Sequence, residues 1–187
     1  MPKFKTILSA LVLSAFASST WAQETSELSM GQTADAASAE SEMAIENIGD
    51  WQLQCSTVGD ETRPCRLYQL LTDDQGNAIA EVIVFRLEEG AQAIAGANVL
   101  VPLETLLTAQ LSISVDGAIG KRYPFAFCNA VGCVARIGFT QADVDAFQQG
   151  SKATFTIVPA IAPETTIALS LSLSGFTGAF AKATPTK

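Results

Sequence analysis

Residues 166–176 read T-I-A-L-S-L-S-L-S-G-F, which puts Ile167, Leu169, Leu171 and Leu173 on one side of an extended chain and Ala168, Ser170, Ser172 and Ser174 on the other. Only a β-strand has a side-chain period of two, so this stretch needs a sheet with one face on an apolar core. The small hydroxyls then face solvent or a second layer. Trp51, Leu53 and Cys55 alternate in the same way with Gln52 and Gln54, Leu111, Ile113 and Val115 with Ser112 and Ser114, and Phe155 and Ile157 with Thr154 and Thr156. Asp116-Gly117 follows the second of these as a hairpin signal. The segments 78–87 and 97–101 are almost continuously apolar, which predicts strands covered on both faces. Gly and Pro punctuate the rest at Gly76, Gly90, Gly96, Pro102, Gly120, Pro124, Pro159 and Pro163. The pattern predicts an all-β fold, a β-sandwich of about eight to ten mostly antiparallel strands, with a closed barrel as the related architecture. One helix stands out over 141–149, with Thr140 as N-cap, Asp143 at N3, Val144 and Phe147 as its apolar stripe and Gly150 as its stop.

The ends of the chain have a different composition. Lys3 and Lys5 precede an apolar run over 7–17, and Thr20 and Ala22 supply small residues at the −3 and −1 positions of a cleavage site. This is the anatomy of a secretory signal peptide over 1–22, cut between Ala22 and Gln23. The run is too short to span about 30 Å of hydrocarbon. Residue 23 is Gln, so the cut exposes no cysteine for lipid attachment. Residues 23–47 hold six acids, no base and no aromatic, and are read as a disordered acidic linker, with a partner-induced helix as the competing local reading. The folded domain is placed at 48–182 and a flexible tail at 183–187. The expected product is exported, periplasmic or secreted, with no transmembrane segment after processing. A membrane-spanning barrel is the alternative, but Trp and Tyr total four, too few for aromatic girdles.

Four cysteines in an exported chain point to disulfides, with three possible connectivities. Cys55 with Cys65 and Cys128 with Cys133 is the favoured pairing, because each pair flanks a turn-rich segment that a hairpin would close. A four-cysteine zinc site needs ligands two to four residues apart, which the first pair does not offer. A redox pair would read C-x-x-C, which neither pair does.

The chemistry available is limited by the absence of histidine and a formal net charge of −8. The charge disfavours a nucleic-acid partner, and the missing imidazole removes Ser-His and Cys-His nucleophiles. Asp73-Asp74, Glu88-Glu89 and Asp143/Asp145 are the close acid pairs that a glycan hydrolase could use. Turn and helix-cap roles explain each pair without catalysis. The spacing over 73–77 also lacks the calcium-loop pattern. Arg63, Arg66, Lys121, Arg122 and Arg136 flank the two cysteine pairs and would form an anion-binding edge only if the hairpin ends cluster. Trp51, Tyr123, Phe125, Phe127 and Phe139 are read as core and strand aromatics.

Taken in order, G-D-W-Q-L-Q-C, the second cysteine ten positions on, V-D-G, F-C-N-A-V-G-C-V-A, a helix closed by Q-G and the terminal L-S-L-S-G-F-T-G-A-F resemble the invasion-associated locus B family of exported bacterial proteins over about residues 49–181. The resemblance implies an all-β fold, supports both local cysteine pairs and carries over no catalytic residue. The family is named for host-cell invasion by one group of pathogens. The resulting expectation is a non-enzymatic protein with no metal and no cofactor that binds an envelope or host macromolecule. An envelope glycan hydrolase and a structural or assembly factor of the envelope are the alternatives.

Overall fold

The alternating segments form strands throughout the computed structural model, which describes residues 43–58, 64–88 and 92–186. The signal-peptide and cleavage readings (1–22, Ala22/Gln23), most of the linker reading, Arg63 and Glu89 lie outside those residues. In chain order the elements are β1 (Met43–Ile48), β2 (Trp51–Ser56), β3 (Cys65–Thr72), β4 (Ala78–Leu87), β5 (Ala95–Val101), β6 (Leu111–Val115), β7 (Lys121–Tyr123), β8 (Phe125–Cys128), β9 (Cys133–Phe139), α1 (Gln141–Gln149), β10 (Lys152–Ile157), β11 (Ile167–Ser172), α2 (Phe176–Lys182) and β12 (Pro185–Thr186).

Among the described residues, twelve strands join one sheet whose main order is β7-β6-β10-β11-β3-β4-β5-β9-β8. β7 and β8 stand at opposite ends of that order, yet only Pro124 separates them in the chain. The sheet must therefore curl until its two ends meet, which gives a nearly closed, barrel-like sandwich. β3 is a branch point: its first half pairs with β2, and its last residue, Thr72, pairs with Ser170 of β11. β1 adds to β2, and β12 runs parallel to the end of β4. Every other pairing is antiparallel.

The inward residues of the strands build one core. Trp51, Leu67, Leu71, Val82, Val84, Val99, Leu111, Phe155, Leu169 and Leu171 are completely enclosed. α1 contributes Val144 and Phe147, and α2 contributes Phe176, Ala179 and Phe180. The α1 helix is the one the sequence predicts. Asp143 accepts hydrogen bonds from the Thr140 N–H (3.0 Å) and hydroxyl (2.8 Å). Gly150 stops the helix through close approach and not through a left-handed turn, since a Cβ there would sit 2.5 Å from Val115 Cγ1 while its φ is −79°.

Several expectations need correction. Residues 43–47, read as linker, form most of β1. They are exposed, so ladder hydrogen bonds to β2 and the Lys182–Glu46 ion pair hold them in place of apolar burial. The tail read as flexible from residue 183 is tied down: Ala183 is buried, the Thr184 N–H donates to the Cys65 carbonyl (3.2 Å), and β12 lies along β4. The chain after Ser174 turns into α2, which the strand pattern did not announce. β4 is not covered on both faces. Ala80, Val82 and Val84 are buried, while Glu81, Ile83 and Phe85 face outward and are only partly covered.

Both disulfides are local, Cys55–Cys65 and Cys128–Cys133. Each joins residues directly opposite in register across antiparallel strands, with Cα atoms 4.0 Å apart. The neighbouring pairs carry the ladder bonds, Ser56 N–H to Pro64 C=O and Asn129 N–H to Gly132 C=O. The cysteines therefore occupy the close, non-hydrogen-bonded sites. Replacing Cys128 and Cys133 together by Ser is expected to cost about 2 kcal/mol, and Cys55 and Cys65 about 3 kcal/mol. Urea midpoints of oxidised protein measure both losses. Wild-type protein treated with reductant should reproduce their sum, and unchanged midpoints would refute the stabilising role.

Candidate functional site

Residues that point away from the core divide the outer surface of the sheet into two chemically different halves. On β3, β11, β10 and β6, register aligns Thr72, Ser170, Thr154 and Ser114 into one cross-strand row of hydroxyls. On β3, β4, β5, β9 and β8 the outward residues are largely apolar: Leu70, Ile83, Phe85, Leu100, Val134 and Phe127. Phe85 covers Gly96 on the neighbouring strand, where a Cβ would collide with its ring at 2.4 Å. This glycine is there to let an aromatic ring lie flat on the sheet.

The apolar half is conspicuously uncovered. Leu70 is 47% exposed, Phe127 51% and Val131 74%. Shallow troughs run along it, one lined by Leu70, Ile79, Leu100 and Val131, the next by Ile83, Leu100, Phe127 and Val134. A third trough holds Phe85 with Arg66, Arg136 and Asn98. Phe127, read with the others as a core or strand aromatic, is therefore on a strand but outside the core. It sits past the irregularity between Phe125 and Phe127 in β8, which turns its ring outward. Trp51 and Phe139 are buried as expected, and Tyr123 and Phe125 are partly buried against the core.

The hydroxyl half contains a groove of about 530 Å³ where β2 and β11 diverge from β3. Asp50, Gln52, Tyr68, Thr72, Lys152 and Ser172 are among its lining residues. Its floor is held by Gln69, which is buried among leucines. The Gln69 amide donates to the Ser172 carbonyl (3.1 Å), and its oxygen accepts from the Ser172 N–H (2.8 Å). A side chain thus replaces a stretch of strand across the split. The Ser172 hydroxyl donates to Asp50 (2.6 Å), and the Tyr68 hydroxyl donates to Glu81 (3.1 Å). Burial and the neighbouring Glu81 carboxylate both raise the Tyr68 pKa.

The paired acids proposed from sequence do not converge. Asp73 accepts from the Gln75 N–H, the Asn77 N–H and the Asn77 amide, and these bonds, the amide first, hold its carboxyl below the ordinary value. Burial raises the Asp143 carboxyl, but hydrogen bonds from Lys121 and Thr140 outweigh it and leave the group lowered. Asp145 accepts from Gln141 (2.7 Å). A general acid needs the opposite shift. The basic residues come together only in part. Lys121 pairs with Asp143 beside α1, whereas Arg66 and Arg136 share the third trough. Neither the Gln69 amide ladder nor the exposure of Phe127 was visible in the sequence reading. The serines of β11 were the one signal pointing toward the groove.

The family model described as invasion associated locus B (IalB) protein matches residues 51–184. Among solved structures, the crystal structure of invasion associated protein B from Bartonella henselae aligns with a TM-score of 0.62 at 23% identity, covering 73% of this chain and 91% of that one. At that identity the likeness concerns the fold. No curated protein sequence matches. Among the described residues, no helix is long and apolar enough to cross a membrane.

Proposed function

The chain belongs to the invasion associated locus B family, and from that premise we propose that it is an exported, non-enzymatic binding protein of the bacterial cell envelope that docks an envelope macromolecule on the apolar half of its sheet. The observation that carries this reading is the uncovered apolar surface formed by Leu70 and Phe127 on the sheet and Val131 in the β8–β9 turn. Exposed apolar patches mark interaction sites, and here Glu81, Asn98 and Arg136 lie among the apolar side chains of the Phe127 trough and add polar anchors to it. Sheet residues lose little entropy on binding because their backbone is already ordered.

The docking surface is tested with Phe127→Lys and Val131→Lys combined, both at exposed positions whose replacement leaves the core intact. The variant should melt within a few degrees of wild type. Cross-linked complexes formed by the tagged wild-type protein in intact envelopes should fall at least tenfold. Equal yields of the same complexes from variant and wild type would reject this surface.

A further inference from the structure

We propose that the groove at the β2/β11 divergence is a second binding site, for a neutral saccharide about two sugar units long. This goes beyond the docking reading and uses different side chains, apart from Leu70 at the shared border.

The lining chemistry selects the ligand class. Among the described residues, Asp50 and Lys152 are its only charged lining residues, so the lining has no net charge to recognise an anion or a cation. Gln52, Thr72, Ser151, Ser170 and Ser172 add neutral donors and acceptors to the lining. A polyhydroxyl ligand presents the same mixture and can bond to it without burying an unpaired charge. Tyr68 adds an aromatic ring to the lining, with its hydroxyl turned to Glu81. The volume of about 530 Å³ falls in the range of small-molecule sites.

The groove is also preorganised. Gln69 locks Ser172 through two hydrogen bonds, and the Ser172 hydroxyl in turn orients the Asp50 carboxylate. These groups are set before a ligand arrives, so binding does not have to freeze them. The hydroxyl row starts in the groove at Thr72 and Ser170 and continues beyond it through Thr154 of β10 and Ser114 of β6. A longer glycan would lie along that row.

Titration of full-length processed protein with cellobiose, maltose and N,N′-diacetylchitobiose, followed by backbone amide NMR, tests the site. At least one disaccharide at up to about 20 mM, a range that reports millimolar affinity, should shift Gln52, Tyr68, Thr72 and Lys152 in a saturable manner. Tyr68→Ala should weaken that binding at least tenfold, and Tyr68→Phe should keep it. Gln52→Ala, which leaves the core untouched, should weaken it several-fold if Tyr68→Ala proves unstable. No saturable shift with any of the three sugars, or shifts unchanged in both alanine variants, would overturn the proposal. Cross-linking through Phe127 and Val131 would be unaffected by that result.

Discussion

Trp51→Ala is expected to destabilise the domain by about 3–5 kcal/mol, the range for deleting a large enclosed aromatic. For a domain of this size that corresponds to a melting temperature lower by roughly 10–20 °C. Trp51 has no exposed surface, and its ring centroid lies 5.4 Å from that of Phe176. Phe176 in turn contacts Phe147 and Phe180, also at 5.4 Å, so Trp51 sits against the aromatic cluster that joins both helices to the sheet. Around this pair, the turn before β2 meets the turn before α2. The Asp50 N–H donates to the Ser174 carbonyl (3.1 Å), and Gly49 and Gly175, both with left-handed φ, approach so closely that a Cβ on either would strike the other turn's backbone. Removing the indole therefore opens a cavity where two close-packed turns leave little room to collapse. Trp51→Phe separates the ring from its polar atom. The indole Nε1 finds no hydrogen-bond acceptor among the described residues, so phenylalanine loses volume but no hydrogen bond. Its cost should be about 1–2 kcal/mol. Urea denaturation with the disulfides intact measures both, and equal losses for the two variants would show that packing is not what Trp51 contributes.

That junction also explains what was legible in the sequence. G-D-W and S-L-S-G-F stand at opposite ends of the domain as a reader meets them, yet they form one contact, and the family resemblance rests partly on that contact. Period-two segments, the Asp116-Gly117 turn and the Thr140–Gly150 helix boundaries all carry local signals, and each is found where it was expected. Asp116 and Gly117 both have positive φ and form a β-turn closed by the Ala118 N–H to Val115 carbonyl bond (2.9 Å), at the start of the longer connection from β6 to β7. The cysteine pairs were legible because hairpins bring nearby residues together. α2 was not, since its seven residues follow a strand without a polar N-cap and are held by burial of Phe176, Ala179 and Phe180. β1 and β12 were missed for the converse reason: they add to existing strands through backbone hydrogen bonds, which any composition can make. The outer surface was half legible. Alternation identifies which side chains leave the core, but only register shows that Ser170 of β11 lines up with Thr72, Thr154 and Ser114 while Phe127 joins Val134 and Leu100. The paired acids illustrate the remaining limit, because adjacency in sequence says nothing about which hydrogen bonds each carboxylate will accept.

Gln69→Leu is the substitution expected to separate a structural polar group from ordinary core packing. By volume and by its place among Leu67 and Leu71, leucine is the residue that the strand pattern of β3 would put at this position. Yet Gln69 is only 9% exposed and spends both ends of its amide on the Ser172 backbone. Leucine would leave that N–H and C=O without partners where β11 departs from β3, and each orphaned group costs about 1–3 kcal/mol. The gain from burying a methyl-rich side chain offsets part of this, leaving an expected loss of about 2–4 kcal/mol. Gln69→Glu gives a sharper test of the same idea. Ionised, it can accept from the Ser172 N–H but must turn its second oxygen toward the Ser172 carbonyl. Protonated, it can donate there as glutamine does. The Glu variant should therefore be less stable than wild type at pH 7 and recover part of the difference as pH falls toward 5. This follows because the folded state favours the protonated carboxyl and raises its pKa above the unfolded value. Hydrogen exchange at the Ser172 amide reads the local consequence directly, and it should accelerate in Gln69→Leu before the global melt. A Leu variant as stable as wild type, with Ser172 still protected, would mean that the split between β2 and β11 closes without the amide, and that the groove's floor is held by the surrounding leucines alone.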